Sequence, residues 1–378
     1  MIVPGATIGI LGGGQLGRMT GLAARSLGYD VHVLDPDPNC PASAVASRVV
    51  AARFDDAGAA AALAEQCAVV TLEIEQIGPD ALRAVAERVP LRPGAHAVHV
   101  IQDRIRQKQW LHDQGFPVGP FRAVSSREAS SEAVAQLGRS IVKSTHGGYD
   151  GRGQVRVDSA DGAARAFESL GGTPCLVEQF LDIATEISVL VARRPGGASP
   201  SGLVVFPPAL NFHVAGILDW SVLASSVPEE TVRQGAEIAR GIAERLDVEG
   251  LIAIELFVLR DGRMLVNELA PRPHNTFHAT ERACATSQFE QLVRAVCDLP
   301  LGSPELFRPA AIANLLGDLW TTGTPNFAAA LEVPSVRLHL YGKREARPGR
   351  KMGHLSAVGA SGDDALERVL SGRRALQR

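Results

Sequence analysis

Two hydrophobic periods alternate along the chain. TIGIL (7–11) is a short apolar run of β type, Gln15–Leu27 carries apolar residues at helical spacing, and YDVHVLDP (29–36) is a second strand stopped by Pro36. AVVTLEIE (68–75) and DALRAVAERV (80–89) repeat the order. Strands alternating with helices predict a parallel sheet covered on both faces, with right-handed crossovers. This first domain is expected over residues 1–100.

The pattern changes afterwards. DRIRQKQWLHDQG (103–115) reads as a charged amphipathic helix. SIVKS (140–144), the glycine-rich HGGYDGRGQ (146–154) and VRV (155–157) read as a hairpin with a glycine tip. The strands TPCLVEQFL (173–181), TEISVLVARR (185–194) and SGLVVFPPAL (201–210) follow, then a helix near 229–246 and a hairpin, LIAIELFVL–RDGR–MLVNELA (251–270). A stretch punctuated by Pro and Gly, with short β runs such as SVRLHLYGK (335–343), ends in the helix DDALERVLSG (363–372). A central two-lobed domain over 101–300 and a small β-rich domain over 301–378 are expected.

Composition narrows the function classes. Lys+Arg is 38 and Asp+Glu 41, a formal charge of −3, and only three Trp and three Tyr are present, which argues against general nucleic-acid binding. The five cysteines are odd in number and contain no CxxC, so neither a disulfide framework nor a zinc site is indicated. No uncharged apolar run reaches the roughly 18 residues a membrane helix needs. The start of the chain has no basic region ahead of its apolar stretch. A soluble, cytoplasmic protein is expected.

The 251–270 hairpin carries a geometric argument. If Asp261-Gly262 form a two-residue loop, Arg260 pairs with Arg263 and Glu255 lies directly opposite Glu268. Two facing carboxylates among apolar neighbours repel, and a divalent cation removes the conflict. Carboxylates with nucleotide phosphates are the usual Mg²⁺ environment. A one-residue slip would instead leave solvated glutamates on an edge hairpin.

The glycine-rich stretch lets backbone N–H groups converge on phosphate, with Lys143 at the preceding strand end as a point charge; an ordinary surface hairpin tip has the same appearance. No Walker loop occurs. Gly12, Gly14 and Gly17 satisfy G-x-G-x-x-G, with Asp35 closing the next strand, which admits a dinucleotide or, more loosely, an anionic group at the helix N-terminus. NELAPRPHNTFHATER (267–282) is held extended by its prolines and can fix side chains for transition-state stabilisation. Lys343, Arg344, Arg347, Arg350 and Lys351 form a basic loop, either solvated or a clamp on a phosphate monoester.

GILGGGQLGRM (9–19), QDRIRQKQWL (102–111), GGYDGRGQ (147–154), VEQFL (177–181), EISVLVAR (186–193), NFHVAGIL (211–218), NELAPRPHN (267–275), TSQFEQ (286–291), NLLGDLW (314–320) and LYGKREARPGRKMGH (340–354) occur in one order over nearly the whole chain. In this the sequence resembles the ATP-grasp ligases and, within them, the 5-(carboxyamino)imidazole ribonucleotide synthase family of purine biosynthesis. The resemblance implies a mixed α/β and α+β fold: a Rossmann-like N-terminal domain, an ATP-grasp central domain with nucleotide between two lobes, and a β-rich C-terminal domain. It implies ATP- and bicarbonate-dependent carboxylation of 5-aminoimidazole ribonucleotide, with Mg²⁺, by a homodimer. A ligase acting on another amine is the alternative.

Residue by residue, the resemblance implies ATP contacts at Arg104, Lys143, the loop Gly148, Tyr149, Asp150, Gly151, Arg152, Gly153 and Gln154, the interlobe strand Glu178, Gln179, Phe180 and Leu181, and at Glu186, His213, Asn267 and Glu268. Glu255 and Glu268 match the metal ligands. Arg272, His274, Asn275 and Lys343 match the bicarbonate and transfer site. Gln15, Leu16, Glu73, Tyr149, Asp150, Arg152, Lys343 and Arg350 match the ribonucleotide side. The family's usual aromatic, Asn, Gly and Trp are replaced at Leu72, Gln76, Phe277 and Ala279. Under this reading the glycine turn no longer signals nicotinamide, and its helix N-terminus faces the substrate phosphate.

Overall fold

The computed structural model describes residues 1–147, 153–196, 202–224 and 227–377, which form three sheets. The first has strands β1 (Thr7–Leu11), β2 (Asp30–Asp35), β3 (Arg48–Ala51) and β4 (Val69–Leu72), all parallel, in the order β3-β2-β1-β4. Ile8, Ile10, Val31, Val33 and Val69 are fully buried, as strands covered on both faces require.

The second sheet is antiparallel: β5 (Phe121–Val124), β6 (Ser140–Ser144), β7 (Gln154–Val157) and β8 (Cys175–Gln179), in the order β5-β8-β6-β7. The helices Arg127–Leu137 and Ala160–Ser169 pack on it through Ala133, Val134, Ala163 and Phe167. Ser126 and Ser159 cap their N-termini by accepting from the Ala129 and Gly162 amides.

The third sheet takes β9 (Ile183–Arg193), β10 (Leu203–Val205), β11 (Ala209–Val214), β12 (Ile217–Leu223), β13 (Gly250–Leu259), β14 (Met264–Ala270), β15 (Ala310–Leu316), β16 (Arg337–Leu340) and β17 (Lys351–Val358). Its order is β14-β13-β9-β11-β12-β15-β17-β16, with β10 also on β9, so the strands after residue 300 extend the central sheet. One face buries Ile187, Val189, Ile254, Leu256 and Leu269 against Ala239, Ile242 and Ala243 of the helix Glu229–Arg245. On the other face Leu190, Ala192 and Ala253 pack into the core shared with Ile8, Val31 and Val33 of the first sheet.

The β13–β14 turn differs from the expected one. Val258 pairs with Met264 and the Leu259 amide donates to the Arg263 carbonyl, so the loop is three residues, Arg260-Asp261-Gly262. A bulge at Asn267 shifts the register back by one, and Glu255 still lies directly opposite Glu268.

Candidate active site

Register places the acidic groups together. Glu186 pairs with both Asn211 and Phe257, and Ser188 with Glu255, so Glu186, Ser188, Asn211, Glu255 and Glu268 share one face of the third sheet. Asn211 donates to Ser188 Oγ at 2.7 Å and accepts from Ser221 Oγ at 2.9 Å, which fixes the floor of this patch. Asn267, thrown out by the bulge, donates to Glu255 Oε2 at 3.2 Å. Burial, and next the Glu268 charge, push the Glu255 carboxyl up to about 7. A dication beside the pair would lift that penalty, and oxygen donors suit a hard metal, so these residues fit Mg²⁺.

His213 forms an ion pair with Glu186, Nδ1 to Oε2 at 2.6 Å. Burial alone would lower the imidazole, but the Glu186 hydrogen bond and the Glu255 charge prevail and hold it above its ordinary value.

The second sheet contributes cations. Lys143 and Glu178 lie diagonally on one face of β6 and β8, with Nζ 2.5 Å from Oε2. Lys108, on the helix Arg104–Asp113, reaches Glu178 Oε1 at 2.8 Å and donates to the Asn267 carbonyl at 2.9 Å. It ties the second sheet to the carboxylate hairpin. Arg104, at the start of that helix, donates to the Ser144 carbonyl at 3.0 Å. Gln179 turns away and donates to the Leu137 carbonyl, and Phe180 lies 4.1 Å under the Arg139 guanidinium. Leu181 packs against Gly119. Gly153 has φ +67°, and Gln154 opens β7 opposite Lys143. The expected contacts at Gly148, Tyr149, Asp150, Gly151 and Arg152 lie outside the described residues.

After β14 the chain runs through Arg272, whose Nε is 2.7 Å from Glu75 Oε1. His274 Nε2 is 3.3 Å from Glu255 Oε1 and its Nδ1 2.8 Å from Thr276 Oγ1. Burial and then the Arg272 charge hold this imidazole well below its usual value, hence neutral. Gln288 grips the His274 peptide from both sides, accepting from its N–H at 2.8 Å and donating to its carbonyl at 3.0 Å. Asn275 is buried, and neither atom of its amide has a partner. An amide left so has hydrogen-bonding capacity for a ligand.

The glycine turn is filled from within. Glu73 accepts from the Gly14 and Gly17 amides at 2.7 and 3.3 Å, and Asp35 from Gly13 at 2.8 Å. A Cβ on Gly14 would stand 2.6 Å from Glu73 Oε1, so glycine permits this approach. Two carboxylates of the chain itself thus occupy the amides of Gly13, Gly14 and Gly17 at this turn. Burial pushes Glu73 up to about 7. Gln15 begins the helix Gln15–Ser26, while the Leu16 side chain is buried against Met19, Phe289 and Tyr341. Lys343 Nζ lies 5.6 Å from the Tyr341 ring, and Arg350 donates to the Glu345 carbonyl at 2.9 Å. Lys108, Glu75, Thr276 and Gln288 were not singled out from sequence. Only Lys108 left a trace there, one helical turn beyond Arg104 on the same face.

Two α+β lobes, one lending cations and the other a carboxylate pair, define an ATP-grasp ligase, and the ATP-grasp domain model matches residues 109–289. The ribonucleotide synthetase preATP-grasp domain matches 5–102 and the phosphoribosylaminoimidazole carboxylase C-terminal domain 310–368. N5-carboxyaminoimidazole ribonucleotide synthase of Brucella melitensis is 41% identical, covering 94% of this chain and 97% of the relative. Among solved structures, the Staphylococcus aureus synthetase complexed with ADP superposes with a TM-score of 0.89 at 33% identity, covering 98% of each chain. The Aspergillus clavatus synthase with ADP and 5-aminoimidazole ribonucleotide does so at 0.89 and 31%, covering 99% of each. The chain belongs to the N5-carboxyaminoimidazole ribonucleotide synthase family.

Proposed function

We propose that this chain joins bicarbonate to the exocyclic amine of 5-aminoimidazole ribonucleotide at the expense of ATP, yielding 5-(carboxyamino)imidazole ribonucleotide, ADP and phosphate in purine biosynthesis. The observation that carries the reading is the single sheet face on which Glu186, Glu255 and Glu268 meet Asn267 and His274. The relative crystallised with ADP and the aminoimidazole ribonucleotide supports the same substrates here.

Lys143 offsets charge on the ATP phosphates, Glu186 takes both ribose hydroxyls, and His213 is a further nucleotide contact. Mg²⁺, held by Glu255 and Glu268, would supply further screening of the phosphate charge. A bicarbonate oxygen attacks the γ-phosphorus and ADP leaves, giving carboxyphosphate. Arg272 and Lys343 hold this anion, with the Asn275 amide free to hydrogen-bond it. The exocyclic amine attacks the carboxyl carbon, or the CO₂ it releases; the nitrogen loses a proton and phosphate departs. Gln15, Leu16, Glu73, Lys343 and Arg350 are assigned to the ribonucleotide, Leu16 through its backbone. The same reading carries a homodimer and a cytoplasmic location. Among the described residues no helix is long and apolar enough to cross a membrane.

A coupled ADP assay with each substrate omitted in turn tests this. Turnover must require both bicarbonate and the aminoimidazole ribonucleotide. ADP release that is indifferent to that nucleotide but stimulated by another amine would reassign the acceptor.

A further inference from the structure

A second group of metal-ligating side chains lies on other elements. Three imidazoles stack in a column: His278 and His354 have ring centroids 4.7 Å apart, and His354 and His339 5.1 Å. His339 and His354 are direct cross-strand partners on β16 and β17, so their side chains share a face. Glu281, on the short helix Thr280–Ala283, meets them with Oε2 4.0 Å from His339 Nδ1. One ligand atom each from Glu281, His339 and His354 lies within 4.8 Å of the other two. His354 Nδ1 is 2.9 Å from the Tyr341 hydroxyl, which leaves Nε2 for another partner. His278 is 1% exposed and its Nε2 has no hydrogen-bond partner.

We propose that Glu281, His339 and His354 are the ligands of a second metal site, for a borderline dication of the Zn²⁺ class. Two imidazoles and one carboxylate are a donor set that such ions favour, whereas Mg²⁺ prefers oxygen alone. The Tyr341 contact is the outer hydrogen bond that orients a ligating histidine. Metal–ligand bonds of about 2.0–2.1 Å set tetrahedral donors about 3.3 Å apart, so closure takes side-chain rotations that bring each donor in by roughly an ångström. The Glu281 and His339 side chains, 32% and 23% exposed, give an ion its way in. Because Tyr341 lies between His354 and Lys343, an ion here would brace the segment that carries Lys343.

The test uses the full chain, stripped with chelator and held in excess Mg²⁺. Co²⁺ is titrated in and followed by visible absorption, then displaced with Zn²⁺. One equivalent should bind at this site and be displaced by Zn²⁺. His339→Ala and Glu281→Gln should each weaken binding at least about tenfold, with melting temperatures near that of metal-free wild type. Glu268→Gln should leave the cobalt spectrum unchanged, which separates this site from the Mg²⁺ pair. Zn²⁺ should raise the melting temperature of the wild type and not of His339→Ala. Absence of a cobalt band in the wild type, or a band that survives both substitutions, overturns the assignment.

Discussion

Replacing Glu178 by Gln takes one negative charge from between two ammonium groups. Lys108 and Lys143 sit 2.8 and 2.5 Å from its oxygens, and the three side chains are only 5%, 14% and 14% exposed. Water cannot screen what is left behind, and breaking a buried pair from one side costs about 3–5 kcal/mol. For a folding unit of ~150–250 residues this corresponds to a fall in melting temperature of roughly 6–20 °C. Burial by itself would raise the Glu178 carboxyl, but Lys108 and then Lys143 prevail and hold it well below the carboxylate range. The folded state therefore binds this proton more weakly than the unfolded chain. Its stabilisation is complete above the unfolded value of 4.5 and is lost as pH falls, so the gap between variant and wild type should close in acid. Urea melts at pH 7.5 read the first effect, and a series taken downward from pH 4.5 reads the second as a progressive narrowing of the gap. Pairing Glu178→Leu with Lys143→Met should recover part of the loss, because it removes a stranded charge. A Glu178→Gln protein within about 1 kcal/mol of wild type at pH 7.5 would refute the reasoning.

Glu268→Gln should weaken Mg²⁺ binding by roughly 10–100-fold or more and suppress phosphate release with the circular dichroism spectrum unchanged; normal turnover would remove the residue from the metal pair. Glu73 and Glu255 are both raised to about 7, so metal-free protein should lose stability as pH climbs from near 4.5 through 7; Mg²⁺ should raise the melting temperature more at pH 8 than at pH 5.5. Gly14→Ala drives a methyl to 2.6 Å from Glu73 Oε1 and should cost about 1–3 kcal/mol, read by denaturant midpoint. Gln288→Ala frees the His274 peptide and should lower kcat while the KM for ATP stays near its wild-type value; a change in KM alone would refute a positioning role.

The facing carboxylates were legible because strand period and turn chemistry are local, although the route to them held two offsetting departures. The loop is one residue longer than Asp-Gly alone implies, and the Asn267 bulge restores the register. Bulges follow from packing around the strand, here the contact of Val266 with Pro117 and Val118, which no nearby residue announces. The parallel first sheet, the 140–157 hairpin and the helix near 229–246 followed from periodicity. Contacts between distant residues did not. Lys108 meets Glu178 across 70 positions, Arg272 meets Glu75 across nearly 200, and the glycine turn is satisfied by Glu73 rather than left open. Each needs the assembled domains before its partner exists. The joining of the last strands to the central sheet was invisible for the same reason, since β12 and β15 are almost 90 residues apart.

That junction has a mechanical consequence. Trp220 to Leu223 bond to Ala313 to Ala310 in an unbroken ladder, and Ala311, Ala313 and Leu355 are wholly enclosed beneath the helix Gly362–Ala375. Ending the chain between Cys297 and Pro309 would therefore not leave a tidy fragment. It would strip β12 of a neighbour in mid-sheet, baring a row of amides and an oily surface together, and the shortened chain should clump rather than persist as a smaller working unit.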